Sequence, residues 1–143
     1  MRSQMALLLA TLISVYLLMV VGAYVTTGGF GLECPDWPTC NGQLIPPLTS
    51  GVLVEYSHRL LTVLTTVLLF ATTFALWRVK PRTKNVLTWM ELASVLLVIQ
   101  IFLGGLVVGS ELDAVIATIH LANSIIIFGL VVAATVLLRQ QRF

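Results

Sequence analysis

The sequence predicts an all-α protein: a polytopic membrane bundle of four helices, both termini cytoplasmic, with residues 1–143 forming a single four-helix transmembrane domain. Three observations carry that prediction. Of the 143 residues, 58% are hydrophobic and only 10% charged, with a mean hydropathy of +1.00, which is far too apolar for a soluble domain of this size. Four runs, about Met5 to Thr26, Val52 to Trp77, Val86 to Gly109 and Asp113 to Leu138, can each cross roughly 30 Å of hydrocarbon at about 1.5 Å per residue. Finally, the basic residues Arg2, Arg78, Lys80, Arg82, Lys84, Arg139 and Arg142 flank the runs on one side, which is therefore read as the inside, while Glu33, Asp36, Glu111 and Asp113 fall on the other. The net charge of +2 follows from this asymmetry. It gives no reason to expect a nucleic-acid partner; membrane lipid is the expected surroundings.

The first run is too long for a signal-peptide core and has no small-residue cleavage site before its polar end, so it is expected to remain as a helix. It carries no chemistry before Tyr24, Thr26 and Thr27. The outer loop over residues 27–51 is rich in glycine and proline, and loops of this length are more often functional than not. Cys34 and Cys40 close a proline-bent turn within it, and a disulfide is the favoured reading on an oxidising side of the membrane. A free dithiol and a metal site are the alternatives, although two thiols without a nearby histidine are too few for structural zinc. Trp37 is placed either in the interfacial aromatic belt or over a pocket.

The second run opens with Glu55-Tyr56-Ser57-His58-Arg59, three ionisable side chains at the head of a hydrocarbon span. Each such residue costs roughly 2.5–3.5 kcal/mol at the centre of a span, so it is expected to face the bundle interior and serve a purpose there. Glu55 and His58 share one helical face. Thr62, Thr65 and Thr66 are expected to satisfy backbone carbonyls or to pack. The third run carries Gln100, an amide in need of a partner, then Gly104, Gly105 and Gly109; the spacing of the last two is a small-xxx-small pattern that means close helix packing or room for a flat ligand. In the fourth run His120 lies roughly 10 Å below its start, matching the depth of His58 on a helix of the same direction, with Asn123 and Ser124 on its face. A faint repeat, Gly22 to Glu33 against Gly105 to Glu111, relates two hairpins that each lead into a histidine-bearing helix.

Two imidazoles at equal depth on facing helices suit the axial positions of a haem, with a slot for the ring between them. Arg59 is then a candidate partner for a haem propionate, and Gln100 and Asn123 are candidate cofactor-binding residues. A proton-coupled carrier using Glu55, and a purely structural subunit, are the competing readings of the same spacing.

The stretch Thr27-Gly28-Gly29-Phe30-Gly31-Leu32-Glu33-Cys34-Pro35-Asp36-Trp37-Pro38-Thr39-Cys40-Asn41-Gly42, followed by Pro46-Pro47, resembles the first outer loop of haem A synthases. Glu55-x-x-His58-Arg59, the segment from Gln100 to Gly105, and His120 are similar to later motifs of that family, in the same order. The resemblance covers nearly the whole chain. It implies oxidation of a ring methyl of haem O to the formyl group of haem A, by successive hydroxylations with water oxygen, for terminal oxidase assembly in the plasma membrane. By position, it implies His58 and His120 as axial ligands, Glu55 as the acid at the reacting edge, and a Cys34–Cys40 disulfide on the extracytoplasmic side. The implied cofactor is haem b, with haem O as substrate and haem A as product; haem O synthase and oxidase assembly proteins are the implied partners.

Typical members look like two fused four-helix halves, and this chain is similar to one of them, more so to the substrate-side half. A homo-oligomer is therefore expected, with different subunits holding substrate and cofactor. The rival functions are a bis-histidine b-type cytochrome that only transfers electrons and a haem-handling assembly factor without catalysis.

Overall fold

Four helices form on the four apolar runs: α1 over Arg2–Thr27, α2 over Ser50–Trp77, α3 over Lys84–Gly109 and α4 over Ala114–Gln140. All four are long and apolar enough to cross a membrane. The computed structural model describes residues 2–79 and 83–141. Lys80, Arg82 and Arg142, three of the basic residues used above to read the inside, lie outside the described residues. The helices run two or three residues past the apolar runs at several ends, because backbone hydrogen bonding does not stop where apolar side chains do. Asp113, expected as the first residue of the fourth run, is instead its cap: its carboxylate accepts from the amides of Val115 and Ile116, both at 3.0 Å.

The ends of α1 and α3 close in the same way. Phe30 N donates to Val25 O at 2.9 Å, with Gly29 in the left-handed region at φ 75°; Leu112 N donates to Val107 O at 2.9 Å, with Glu111 at φ 53°. Both are Schellman closures, which satisfy carbonyls the last helical turn would leave orphaned. Glycine makes this inexpensive at position 29. At the head of α2, the Glu33 carboxylate sits against Gly51, where any side chain would displace it; a negative charge there also complements the helix dipole.

α1 packs along α2, and α3 along α4; α1–α4 and α2–α3 contacts join the two hairpins, while neither diagonal pair touches among the described residues. The larger buried core lies at the end of the bundle that holds the termini, and a small second cluster, Cys34, Cys40 and Val52, lies under the outer loop. At the terminal end Met5, Leu8 and Val15 of α1 interlock with Leu69 and Leu76 of α2, Val86, Met90, Ala93 and Leu97 of α3, and Val131, Ala134 and Leu138 of α4. Hydroxyl pairs stitch the same half: Thr11 with Thr72 at 2.8 Å, Ser14 with Thr65 at 2.7 Å, and Thr73 with Ser94 at 3.0 Å. In hydrocarbon there is no hydrophobic drive between helices, so tight packing and such bonds, worth about 0.6 kcal/mol each on average, hold the bundle.

The loop end is different. Over residues 16–24, 56–64, 101–109 and 114–126, all described, no side chain is fully buried. Both histidines lie in that half.

Candidate functional site

His58 on α2 and His120 on α4 occupy diagonal helices, and each ring rests on a glycine of the helix paired with its own. A methyl added at Gly22 would lie 2.8 Å from His58 Cε1, and one at Gly104 would lie 3.4 Å from His120 Cε1. The Nδ1 atoms of both histidines are buried without a hydrogen-bond partner, the only such side-chain atoms among the described residues. Buried nitrogens are nearly always bonded, so a matched pair of orphans needs a reason.

Around His120 the expected polar residues converge. Asn123 Nδ2 donates to Gln100 Oε1 at 2.7 Å and to Leu96 O at 3.0 Å, while Gln100 Nε2 donates to His120 O at 3.0 Å and lies 3.3 Å from His120 Nε2. Gln100 is buried, and its amide is fully committed. Around His58 no side chain plays this part: Thr62, the nearest hydroxyl on its face, bonds back to His58 O at 2.9 Å.

Glu55 and Arg59 form a second cluster, directed at the outer loop. Glu55 is 3% exposed; its Oε2 accepts from Cys34 N at 2.8 Å and its Oε1 from Arg59 Nη2 at 2.7 Å. Arg59 also donates from Nη2 to Cys34 O at 2.7 Å, from Nη1 to Asp36 O at 2.8 Å, and from Nη1 to Thr39 O. Four of the five guanidinium N–H groups are thus engaged, and Nε–H alone is uncommitted. Cys34 and Cys40 are joined as a disulfide, which sets aside the free dithiol and the metal site. Closing so short a loop stabilises by about 2 kcal/mol. Cys34→Ser together with Cys40→Ser is expected to cost about that much, as faster proteolysis of the loop with the helices intact, measured by limited digestion and circular dichroism.

The clasped loop reaches across to the other hairpin. Trp37 lays its indole on Gly105, where an added methyl would lie 3.1 Å from Cδ2, and Gly31 leaves room for the Leu112 side chain. Gly105 therefore seats the loop rather than a helix, and a methyl at Gly109 would meet nothing. Asp36 organises the turn itself. Its carboxylate accepts from the Thr39 hydroxyl and from the amides of Asn41 and Gly42, and these bonds, the hydroxyl's foremost, hold it below its ordinary pKa of 3.8. A depressed carboxylate contributes its stabilisation above 3.8 and loses it as pH falls through the folded value. The turn is therefore expected to persist at pH 4 and to loosen only below 3.8, read from the chemical shifts of the Asn41 and Gly42 amides; Asp36→Asn should remove that acid transition.

The donor set fits a bis-imidazole iron porphyrin. Two orphaned imidazole nitrogens, two glycine cradles and a half-bundle without a packed core coincide at one level of the fold. Sequence reasoning missed Gly22 and Gly104 as cradles and Trp37 as the residue seated on Gly105. A signal was present, since a glycine precedes each histidine-bearing helix, but the repeat as first aligned set Gly22 against Gly105. The paired Schellman closures and the cradles set it against Gly104.

Among known families, the one described as cytochrome oxidase assembly protein matches residues 5–143. Among curated proteins, the chain is 30% identical over 137 residues to a haem A synthase of Bacillus pumilus (92% of this chain, 45% of the relative). It is 31% identical over 128 residues to that of Bacillus licheniformis (89% and 42%), and 35% identical over 135 residues to that of Bacillus mycoides (91% and 43%). The chain thus spans about half the length of the curated relatives it matches. No solved structure matches it.

Proposed function

The chain belongs to the cytochrome oxidase assembly protein family, and from that premise we propose that it binds haem between His58 and His120 and acts as a haem A synthase. The reaction is the four-electron oxidation of a ring methyl of haem O to the formyl group of haem A, through successive hydroxylations with water oxygen and loss of one water, the four electrons and four protons passing to an external electron acceptor. One observation supports this above the others: two buried imidazole nitrogens without partners, on diagonal helices, each ring cradled by a glycine. When bound, the iron porphyrin supplies the redox chemistry.

The chain's own residues hold and shield. His58 and His120 would hold the iron porphyrin, and Gln100 with Asn123 borders the site on the α3–α4 side. Glu55, one turn before His58, is the acid at the edge where the methyl reacts, and it would pass a proton there on releasing Oε1 from Arg59 or Oε2 from Cys34 N. Arg59 fixes Glu55 and the loop, with Nε–H remaining for a propionate. Trp37 and the disulfide loop cover the outer mouth and exclude water.

The proposal extends to placement and assembly. The protein is multi-pass in the plasma membrane, with both termini cytoplasmic and the Cys34–Cys40 loop outside, supported by the basic residues at the terminal end of the bundle. The two histidines of residues 1–143 would hold one haem. A second copy in a homo-oligomer would hold haem b while this one holds haem O, and haem O synthase and oxidase assembly proteins are the proposed neighbours in delivery and hand-over. A single-copy mass in detergent, with full haem content and activity, would refute the oligomer.

Extracting the bound haems after supplying haem O, and weighing them by mass spectrometry, tests the activity. Hydroxylated or formylated product is expected. The electron-transfer reading draws on the Glu55 carboxylate being engaged at both oxygens; a reversible b-type spectrum with no modified haem would establish it instead.

A further inference from the structure

We propose that Trp37 is the positioning residue of the slot between the histidines: seated on Gly105, it ties α3 to the outer loop that α2 carries, and so fixes how far His58 stands from His120 where helix packing does not. This rests on the haem reading above and concerns the chain's own residues toward that group.

The outer loop belongs to α2. Glu55 Oε2 accepts from Cys34 N at 2.8 Å, Arg59 donates to Cys34 O at 2.7 Å, to Asp36 O at 2.8 Å and to Thr39 O, and Tyr56 Oη donates to Leu44 O at 2.7 Å. Cys34, Cys40 and Val52 are buried together, with Tyr56 packed on them. The disulfide and the bonds to the Asp36 carboxylate make residues 34–42 a stiff unit. Glu55 lies one turn before His58 and Arg59 directly after it, so this unit is keyed to α2 at the level of the His58 ring.

Trp37 reaches from the same unit onto α3. A methyl added at Gly105 would lie 3.1 Å from its Cδ2 and 3.3 Å from Cε2 and Cε3, so the indole meets backbone that only a glycine leaves bare. The neighbouring Gly104 cradles His120. Helix α3 is fixed to α4 by Asn123 Nδ2, which donates to Gln100 Oε1 at 2.7 Å and to Leu96 O at 3.0 Å, and by Gln100 Nε2, which donates to His120 O at 3.0 Å. His120 therefore moves with α3. Other ties between the hairpins are remote or soft. Thr73 joins α2 to Ser94 of α3 at 3.0 Å, but about 22 Å along the helix axis from His58. Tyr16 of α1 meets Phe128 of α4 with centroids 6.2 Å apart, a contact that slides without breaking a bond, and Leu112 meets Gly31 outside residues 34–42 through a flexible side chain. Pivoting at Thr73, a tilt of about 3° would move His58 by about 1 Å, whereas a ligand set tolerates about 0.5 Å. Trp37 on Gly105 opposes that tilt at the level where it matters.

The test uses full-length protein in detergent carrying Leu60→Cys and Phe102→Cys, exposed positions of α2 and α3, each labelled with a nitroxide. The chain's own two cysteines are spent in the disulfide, so only the introduced thiols react. Without haem, pulsed electron paramagnetic resonance should show a narrow distance distribution that Trp37→Ala broadens by several ångströms and Trp37→Phe keeps narrow; Gly105→Val, which fills the seat, should broaden it as Trp37→Ala does. Loaded with iron protoporphyrin IX, Trp37→Ala should pass haem to apomyoglobin about 10-fold faster, the low end of what losing support behind a metal ligand does, and show a high-spin ferric fraction that Trp37→Phe lacks. Trp37 is 43% exposed, so helix content and thermal midpoint should hold; should Trp37→Ala not fold, Gly105→Val carries the same test. An indole serving only as an interfacial anchor would leave distances and spin state unchanged in Trp37→Ala and Gly105→Val, and that result overturns the proposal, as does a Trp37→Phe protein indistinguishable from Trp37→Ala. The haem reading fails separately, if unaltered protein takes up no haem, since the label distances test the strap without it.

Discussion

Glu55→Ala is expected to lose about 3–5 kcal/mol of stability and all turnover, the largest effect of any single change in this chain. Removing one member of a buried ion pair leaves the other charge uncompensated, and here it is the Arg59 guanidinium within the span. The same change strips Cys34 N of its acceptor, so the disulfide loop loses one anchor while Arg59 loses its partner. Glu55→Gln separates the two roles. The amide oxygen can still accept from Cys34 N, and Arg59 keeps its three bonds to loop carbonyls, so the loop should stay largely closed to protease although the ion pair is lost; the amide cannot exchange a proton. If Glu55 moves a proton in the reaction, turnover of haem O should fall by about 100- to 10,000-fold in Glu55→Gln while haem binding persists. Wild-type turnover in Glu55→Gln would reduce Glu55 to a loop anchor and leave haem A synthesis without its acid. Product mass, haem content and loop proteolysis on the same sample distinguish these outcomes.

Gly22→Val is expected to abolish haem binding while leaving the bundle folded. Even a methyl at this position lies 2.8 Å from His58 Cε1, and a branched side chain must drive the ring aside. The backbone there is helical and its neighbours are lipid-facing or half-buried, so no core is broken and helix content and thermal stability should change little. Displacing an axial ligand costs far more than displacing a solvent-facing ring. Gly104→Ala is the graded comparison: its methyl would meet His120 Cε1 at 3.4 Å, an ordinary contact, and haem should be retained. A Gly22→Val protein with a wild-type Soret band would show that His58 does not ligate.

The outer loop and the glycines show why part of the site was illegible in the chain. Glu55, His58 and Arg59 announce themselves because charge in hydrocarbon is rare, but nothing in their spacing says that both Glu55 oxygens and four Arg59 donors go to backbone and carboxylate partners. Those acceptors come from residues some 20 positions away in sequence, in a loop without regular periodicity. Gly105 and Gly109 advertised helix packing by pattern, yet the first seats an indole and the second meets nothing.

What the amino-acid order determined alone is whatever follows from local hydropathy and charge: four spans, their alternation across a membrane, and polar residues at matching depth in the second and fourth. Partner choice was decided only by the folded bundle. Burial in hydrocarbon obliges each polar group to find a bond, but which bond depends on how two hairpins related by an internal repeat lie against each other. That packing gave Glu55 to the loop and Gln100 to His120, and left Nδ1 of each imidazole buried without a partner.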